Sequence, residues 1–183
     1  MLVLQEISGY ILIGIIIAAA LFVLYLPVFL VLRKRVAFAR QVVYFLLVVC
    51  IIVILSATVI IGFKIVPVKN RFLNLVPFKV FTETWEMGLV KQFTQTIANV
   101  IMFVPLGFIF PVAFAGCRRL YKTTIYMAVF SFLIEFVQYF TGRSSDIDDL
   151  MLNTLGGVLG YLVFALFCKL FGNKRFWKKL LGI

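Results

Sequence analysis

Histidine is absent from this chain of 183 residues, and acidic residues number only seven. Its three cysteines, Cys50, Cys117 and Cys168, are far apart and show no metal-ligand spacing. Zinc and haem sites in proteins are built largely from clustered histidine and cysteine ligands. The sequence therefore argues against a zinc site, a haem site and a disulfide framework. Carboxylates are the remaining candidates for acid–base chemistry.

Charged residues are also scarce, at 14% of the chain, whereas hydrophobic residues make up 64% and the mean hydropathy is +1.14. Soluble domains are typically about 25% charged. The apolar residues form continuous runs and do not alternate as barrel strands require. The composition therefore predicts an all-α integral membrane protein. At about 20 residues per span, the chain has room for four or five helices and no separate soluble domain.

Five apolar runs predict the membrane spans. They cover approximately Ile7–Leu32, Val42–Phe63, Thr96–Ala115, Thr123–Phe140 and Leu152–Phe171. No basic residue precedes the first run, and that run is too long for a signal peptide, so we expect it to remain as a helix. The sequence suggests two parts: residues 1–63 with two helices, and residues 64–183 with an outer loop and three helices.

The net charge of +11 comes mainly from short basic clusters between the apolar runs. These clusters follow spans one, three and five, and the positive-inside rule then predicts an outer N-terminus and a cytoplasmic C-terminus. The predicted outer loop, Lys64–Gln95, also contains basic residues, but its length weakens their effect. We expect a multi-pass protein of the bacterial plasma membrane whose partner is membrane lipid and not nucleic acid.

Glu135 lies inside the fourth apolar run, where a charged side chain costs about 2.5–3.5 kcal/mol on insertion scales. Ser131 and Gln138 share its helical stripe. Asn99 in the third span and Asn153 in the fifth are polar residues at the same predicted end. The structural interpretation is a protonated glutamate bonded to Asn99 or Asn153, and the functional one is a working carboxylate that meets water through a cavity.

A polar segment follows the fourth span and contains Arg143, Asp146, Asp148 and Asp149. Asp146 and Asp149 at the start of the fifth helix are expected to cap free N–H groups and to complement the helix dipole. Three acids and an arginine exceed what capping requires. The surplus suggests an ion-pair network, recognition of a polar lipid head, or a divalent-cation site in which Asp146, Asp148 and Asp149 hold Mg²⁺ or Ca²⁺.

The polar stripes of spans three, four and five are predicted to converge in one pocket open to the outer leaflet, with spans one and two as support. The candidate binding residues are Asn99, Glu135, Gln138, Arg143, Asp146, Asp149 and Asn153. The loop Lys64–Gln95 is expected to lie along the headgroup region, either as a simple connector or as a lid. The small-residue face Gly156–Gly160 suits packing inside the bundle or a dimer, so the oligomeric state stays open.

Several motifs of this chain occur together in one known family. They are Asn74-Leu-Val-Pro-Phe78, Asn99-x-x-x-Phe103-x-Pro105-Leu106-Gly107, Glu135-x-x-Gln138, Arg143-x-x-Asp146-x-x-Asp149, Asn153-Thr154-x-Gly156 and Gly160-Tyr161. In their order and spacing they resemble the VanZ-like family of bacterial membrane proteins, over about Asn70 to Phe167. The resemblance implies a link to low-level resistance to teicoplanin, a lipid-tailed glycopeptide, and not to vancomycin.

Two functional hypotheses follow from the sequence. In the first, the chain is a binding protein whose polar pocket engages a lipoglycopeptide or a lipid-linked cell-wall precursor. In the second, it is an intramembrane enzyme acting on a lipid-linked or glycan substrate, with Glu135 as general acid or base and Asp146 and Asp149 holding a metal. A transporter is disfavoured because no internal repeat or pair of broken helices is visible.

Overall fold

The computed structural model describes residues 2–60, 67, 72–79, 89–141 and 143–183, without the side chains of 2–14 and 89–95. Its helices are α1 (Leu2–Leu32), α2 (Phe38–Leu55), α3 (Leu89–Ala113), α4 (Leu120–Phe140), α5 (Ile147–Phe171) and α6 (Arg175–Leu181). Of the helices in these ranges, α1 to α5 are long and apolar enough to cross a membrane. The chain is a multi-pass, all-α membrane protein, as predicted.

The centre of the bundle is the close packing of α3 against α5. A methyl group added at Gly160 would overlap the backbone carbonyl of Val104, and one added at Gly107 would overlap the backbone of Gly157. Small residues allow two helix backbones to approach this closely, which favours association where no hydrophobic effect operates. The glycine face of α5 is therefore used inside the bundle.

Helix α2 packs on α3 and continues beyond Leu55 as a π-helical turn, Ser56–Ile60. Such single turns leave carbonyl groups outside the regular α-helical pattern. Helix α1 lies at the edge, where Tyr25 packs against Phe45 of α2 at 5.4 Å between ring centroids. No residue of its membrane-spanning window, Ile15–Leu32, is buried by the part of the chain that the structure describes.

Two short strands, β1 (Phe72–Asn74) and β2 (Ser144–Asp146), pair in parallel, with Asn74 opposite Asp146. The sequence did not predict this pairing, because three-residue strands show no usable periodicity. It fixes part of the predicted outer loop beside the first turn of α5. Most of that loop, including Trp85, lies outside the described residues.

The opposite end of the bundle is closed by α6, which the sequence did not predict. Trp177 of α6 is 2% exposed, and its ring lies 5.6 Å from that of Phe167 and 6.1 Å from that of Phe108. Arg40 at the start of α2 and Arg118 between α3 and α4 donate hydrogen bonds to carbonyls of α6. We call this the basic end, and the end with β1, β2 and Glu135 the acidic end.

Candidate functional site

Glu135 is 6% exposed and lies against the strand that leads into α5. Its Oε2 accepts a hydrogen bond of 2.8 Å from the backbone N–H of Asp146, and the Ser145 side chain bonds the same carboxyl group. The predicted structural pairings were wrong in the part of the chain described here, because Asn99 donates to Asp149 and Asn153 donates to Ser131. Glu135 instead holds β2 over α4.

Asp146 connects three segments of the acidic end. Its carboxylate accepts a hydrogen bond of 2.9 Å from the backbone N–H of Asp148, which confirms the predicted capping role of Asp146 at α5. The side-chain amide of Asn74 donates to both oxygens of Asp146 at 3.0 Å. The Asn74 backbone pairs with Asp146 as well, so this contact is both main-chain and side-chain. Asn74 belongs to the loop motif Asn74-Leu-Val-Pro-Phe78, which this contact joins to the start of α5.

Asp148 and Asp149 accept hydrogen bonds from two different segments. Asp148 is 4% exposed and accepts 2.5 Å from the backbone N–H of Phe78, whose φ of 64° is a left-handed conformation rare for a side chain of this size. Asp149 accepts from the side-chain amide of Asn99 on α3. The three aspartates thus form hydrogen bonds with the segment 72–79, with the first turn of α5 and with α3.

The three aspartates therefore serve different partners in this arrangement. Within the described residues, no group of three or more Asp, Glu or Cys side chains is arranged to hold a metal ion. The Mg²⁺ or Ca²⁺ site at Asp146, Asp148 and Asp149 stays a prediction, and so does the pocket itself.

Gln138 and Arg143 turn towards α2, which the sequence assigned only a supporting role. The amide of Gln138 donates 3.0 Å to the carbonyl of Thr58, and Arg143 donates 3.2 Å to the carbonyl of Ala57. Both carbonyls belong to the π-helical turn after α2. The sequence did not predict these two acceptors, because a backbone carbonyl has no side-chain signature. The available signal was the pair of small polar residues, Ser56 and Thr58, within an apolar run.

Asn153 is buried inside the bundle, between α5 and α4. It is 2% exposed, and its amide nitrogen lies 3.0 Å from the hydroxyl of Ser131 on α4. The amide oxygens of Asn153 and Gln138 are buried without a partner among the described residues. Buried polar atoms are normally paired with protein or water. These two oxygens can accept hydrogen bonds from a water molecule or from a ligand hydroxyl or amide.

The acidic end gathers four of the seven acidic residues of the chain: Glu135, Asp146, Asp148 and Asp149. Beside them the segment 72–79 exposes apolar side chains, among them Leu75 at 66% and Phe78 at 58%. Exposed aromatic and aliphatic side chains next to a membrane span suit the lipid interface. These exposed apolar side chains therefore lie beside the buried carboxylates of the acidic end.

Comparisons with known proteins agree with this description. The model of the VanZ/LLP1 family matches residues 38–168, from the start of α2 to near the end of α5. Protein VanZ of Enterococcus faecium is 35% identical over 107 residues, which cover 58% of this chain and 60% of that protein. The match thus spans less than two thirds of the length of this curated relative. No solved structure matches significantly.

Proposed function

This chain belongs to the VanZ/LLP1 family, and from that membership we propose that it lowers bacterial susceptibility to lipid-tailed glycopeptides such as teicoplanin. In this proposal it lies in the plasma membrane with its acidic end outward. There it binds the polar head of the drug or of a lipid-linked cell-envelope precursor. Both ligands combine a polar head with an apolar tail, and both are present at the outer leaflet.

The observation that carries the proposal is the position of Glu135. Its carboxyl group lies within the last two turns of α4, near the negative end of that helix dipole, where an acid is disfavoured. It is buried and is bonded to the backbone of Asp146. A carboxylate kept in such a place is expected to have a task beyond helix capping.

The chemistry of the acidic end supports a ligand rich in hydrogen-bond donors. Glycopeptides present hydroxyl and amide donors, which the buried oxygens of Gln138 and Asn153 can accept. A phosphate-bearing precursor requires positive charge, which the exposed Arg143 supplies and which a Mg²⁺ or Ca²⁺ ion bridging the aspartates would increase.

The proposal is tested by measuring teicoplanin and vancomycin susceptibility in a Gram-positive host. The host expresses the intact chain, Glu135→Gln, or an empty vector, and Lys169→Gln serves as a control because Lys169 is exposed near the end of α5, far from the acidic end. We expect the intact chain and the control to protect against teicoplanin only, and Glu135→Gln to lose that protection. Equal susceptibility in all four strains contradicts the proposal.

Binding to the purified chain separates the two ligands. Teicoplanin and a labelled lipid-linked precursor are added in turn, with and without EDTA. Precursor binding that EDTA abolishes supports the cation bridge, and binding that EDTA leaves unchanged contradicts it. Turnover of the precursor that disappears in Glu135→Gln would instead support the intramembrane enzyme.

A further inference from the structure

Positive charge at the basic end has no acidic counterpart there. Three stretches build this end, residues 29–44, 110–126 and 167–183, and they hold twelve of the 18 basic residues of the chain and no Asp or Glu. Like charges repel one another unless anions lie close to them. Arg40 and Arg118 donate to backbone carbonyls, which carry no net charge. External anions therefore balance the charge of this end.

Helix α6 carries three of these cations on one face. Trp177 and Leu181 are its buried side, at 2% and 8% exposed. Arg175, Lys178 and Lys179 are all exposed, and we call them the α6 cations. They are spaced at i, i+3 and i+4, so they are neighbours on the helix surface. The α6 cations therefore converge, on the side of the helix that faces away from the bundle.

The ring contacts of α6 fix its depth in the bilayer. Trp177 lies 6.1 Å from Phe108 and 6.2 Å from Phe164, measured between ring centroids. These two residues lie five and seven positions before the ends of α3 and α5, or about 8 and 10 Å inside those ends. Phe176 of α6 contacts Phe171, the last residue of α5, at 5.7 Å. Helix α6 therefore lies level with the ends of the spans, at the depth of the lipid headgroups.

Exposed apolar side chains lie beside the α6 cations. Phe176 is 51% exposed on α6 itself, and Leu170, at the end of α5, is 59% exposed. Cations beside exposed apolar side chains are typical of surfaces at the boundary between headgroups and acyl chains. A soluble polyanion requires only the cations. The combination therefore favours a phospholipid as the source of the anion.

Helix α6 is held to the rest of the bundle by hydrogen bonds as well as by packing. Arg40 donates a hydrogen bond of 2.9 Å to the carbonyl of Leu180, and Arg118 donates one of 2.6 Å to the carbonyl of Leu181. Groups that are already held in place lose less freedom when a ligand binds. The backbone that carries the α6 cations is therefore in position before any ligand arrives.

The connection between α1 and α2 has the same number of exposed cations in a different arrangement. Arg33, Lys34 and Arg35 are consecutive in the chain. Consecutive residues on a helical turn do not face each other, so these three side chains do not converge on one ligand. They provide a matched comparison, because they carry the same charge at the same end.

We infer that the α6 cations bind the phosphate groups of anionic phospholipids in the leaflet at the basic end. Arg175 can donate two parallel hydrogen bonds to one phosphate, and the two lysines add positive charge beside it. Phe176 and Leu170 contact the acyl chains of the same lipids. This surface lies at the other end of the bundle from Glu135, so the inference does not rest on the proposed function.

The test uses Trp177 as a reporter of the lipid next to α6. Trp85→Phe leaves Trp177 as the single tryptophan of the full chain. The protein is placed in phosphatidylcholine nanodiscs that contain a small fraction of either brominated phosphatidylglycerol or brominated phosphatidylcholine. Bromine on an acyl chain quenches a nearby tryptophan. The α6 variant carries Arg175→Gln, Lys178→Gln and Lys179→Gln, and the matched control carries Arg33→Gln, Lys34→Gln and Arg35→Gln.

We expect brominated phosphatidylglycerol to quench Trp177 about tenfold more efficiently than brominated phosphatidylcholine in the intact chain and in the matched control. This preference should fall to about twofold or less in the α6 variant. Unchanged Trp177 emission without brominated lipid shows that α6 is still packed in each variant. Arg175→Lys keeps the charge and should keep most of the preference.

Two results of the quenching experiment overturn the inference. Equal quenching by the two lipids in the intact chain would mean that α6 does not select anionic lipid. Equal loss of the preference in the α6 variant and the matched control would mean that the net charge of the basic end, and not a site on α6, attracts the lipid.

Nucleic acid is the other polyanion that a cluster of cations attracts. Labelled RNA is therefore added to the same nanodiscs at physiological salt concentration. Absence of RNA binding, together with the lipid preference, supports the inference. RNA binding that the α6 variant loses, together with equal quenching by the two lipids, would assign the α6 cations to nucleic acid instead.

Discussion

The basic and acidic ends of the bundle use charge in different ways. At the basic end, Arg40 and Arg118 donate to carbonyls in the last turns of α3 and α6. These are the acceptors that every helix leaves unpaired at its C-terminus, and a cation there also complements the helix dipole. Burial, together with the nearby charge of Arg40, lowers the pKa of Arg118, which still stays charged at neutral pH.

At the acidic end, only some of the charge has such a role. Asp146 caps α5, and Asp148 and Asp149 lie in its first turn, where the dipole favours acids. Glu135 lies near the opposite kind of helix end, in α4. Helix termini therefore account for Arg40, Arg118 and the three aspartates, but they do not explain the position of Glu135.

The largest effect on stability is expected at Arg40, which joins α2, α3 and α6. Arg40→Ala removes four hydrogen bonds and leaves buried carbonyls unpaired, so the free energy of unfolding in detergent should fall by about 3 kcal/mol. Arg35→Ala, an exposed arginine at the same end, should change it by less than about 0.5 kcal/mol. Equal effects of both changes would mean that net charge, and not carbonyl binding, stabilises this end.

At the acidic end, the next largest effect is expected at Asp148. Asp148→Ala removes the acceptor of the Phe78 N–H and should cost about 1–2 kcal/mol. Hydrogen exchange in the segment 72–79 should accelerate, because this bond holds it to α5. Asp148→Asn keeps an oxygen acceptor and is the matched control. Unchanged exchange in Asp148→Ala would show that β1 alone holds the segment.

A smaller effect is expected between α3 and α5. The hydrogen bond from Asn99 to Asp149 joins two spans, and such bonds average about 0.6 kcal/mol. A double-mutant cycle with Asn99→Leu and Asp149→Leu should give a coupling energy of that size. A coupling near zero would indicate that glycine packing alone holds the two helices together at this point.

The smallest effect on stability is expected at Glu135, although its effect on function is expected to be the largest. Glu135→Gln keeps the shape of the side chain and an oxygen that accepts from the Asp146 N–H, so the free energy of unfolding should change by only about 0.5 kcal/mol, the low end for one hydrogen bond. Teicoplanin protection should nevertheless be lost. If Glu135→Gln lowers the free energy of unfolding as much as Arg40→Ala does, then Glu135 has a structural role like that of Arg40.

The sequence predicted the five spans and the residues of the acidic end, because hydropathy and polar residues in apolar runs are strong local signals. It did not predict which of these residues form hydrogen bonds with one another. Glu135 was expected to bond Asn99 or Asn153, but it accepts from the backbone N–H of Asp146 in β2, while those two residues donate to Asp149 and Ser131. That strand is in turn paired with β1, 72 residues earlier in the chain, and no local pattern encodes this pairing.

Two further features were missed for different reasons. The carbonyls of Ala57 and Thr58 are backbone atoms, freed by a π-helical turn that α-helical periodicity does not reveal. The lysines of α6 were interpreted as a topology signal, which hid a short amphipathic helix that buries Trp177 and Leu181. The pattern Phe176-Trp177, then Leu180-Leu181, was the available sign of that helix.

The dependence of three polar contacts on α5 has a consequence for biosynthesis. Ribosomes make the chain from its N-terminus, so Asn99 of α3 and Glu135 of α4 leave the ribosome before their partners Asp149 and Asp146. The same order holds for Ser131 and Asn153. Insertion of α5 therefore completes both the glycine contact with α3 and these polar pairs.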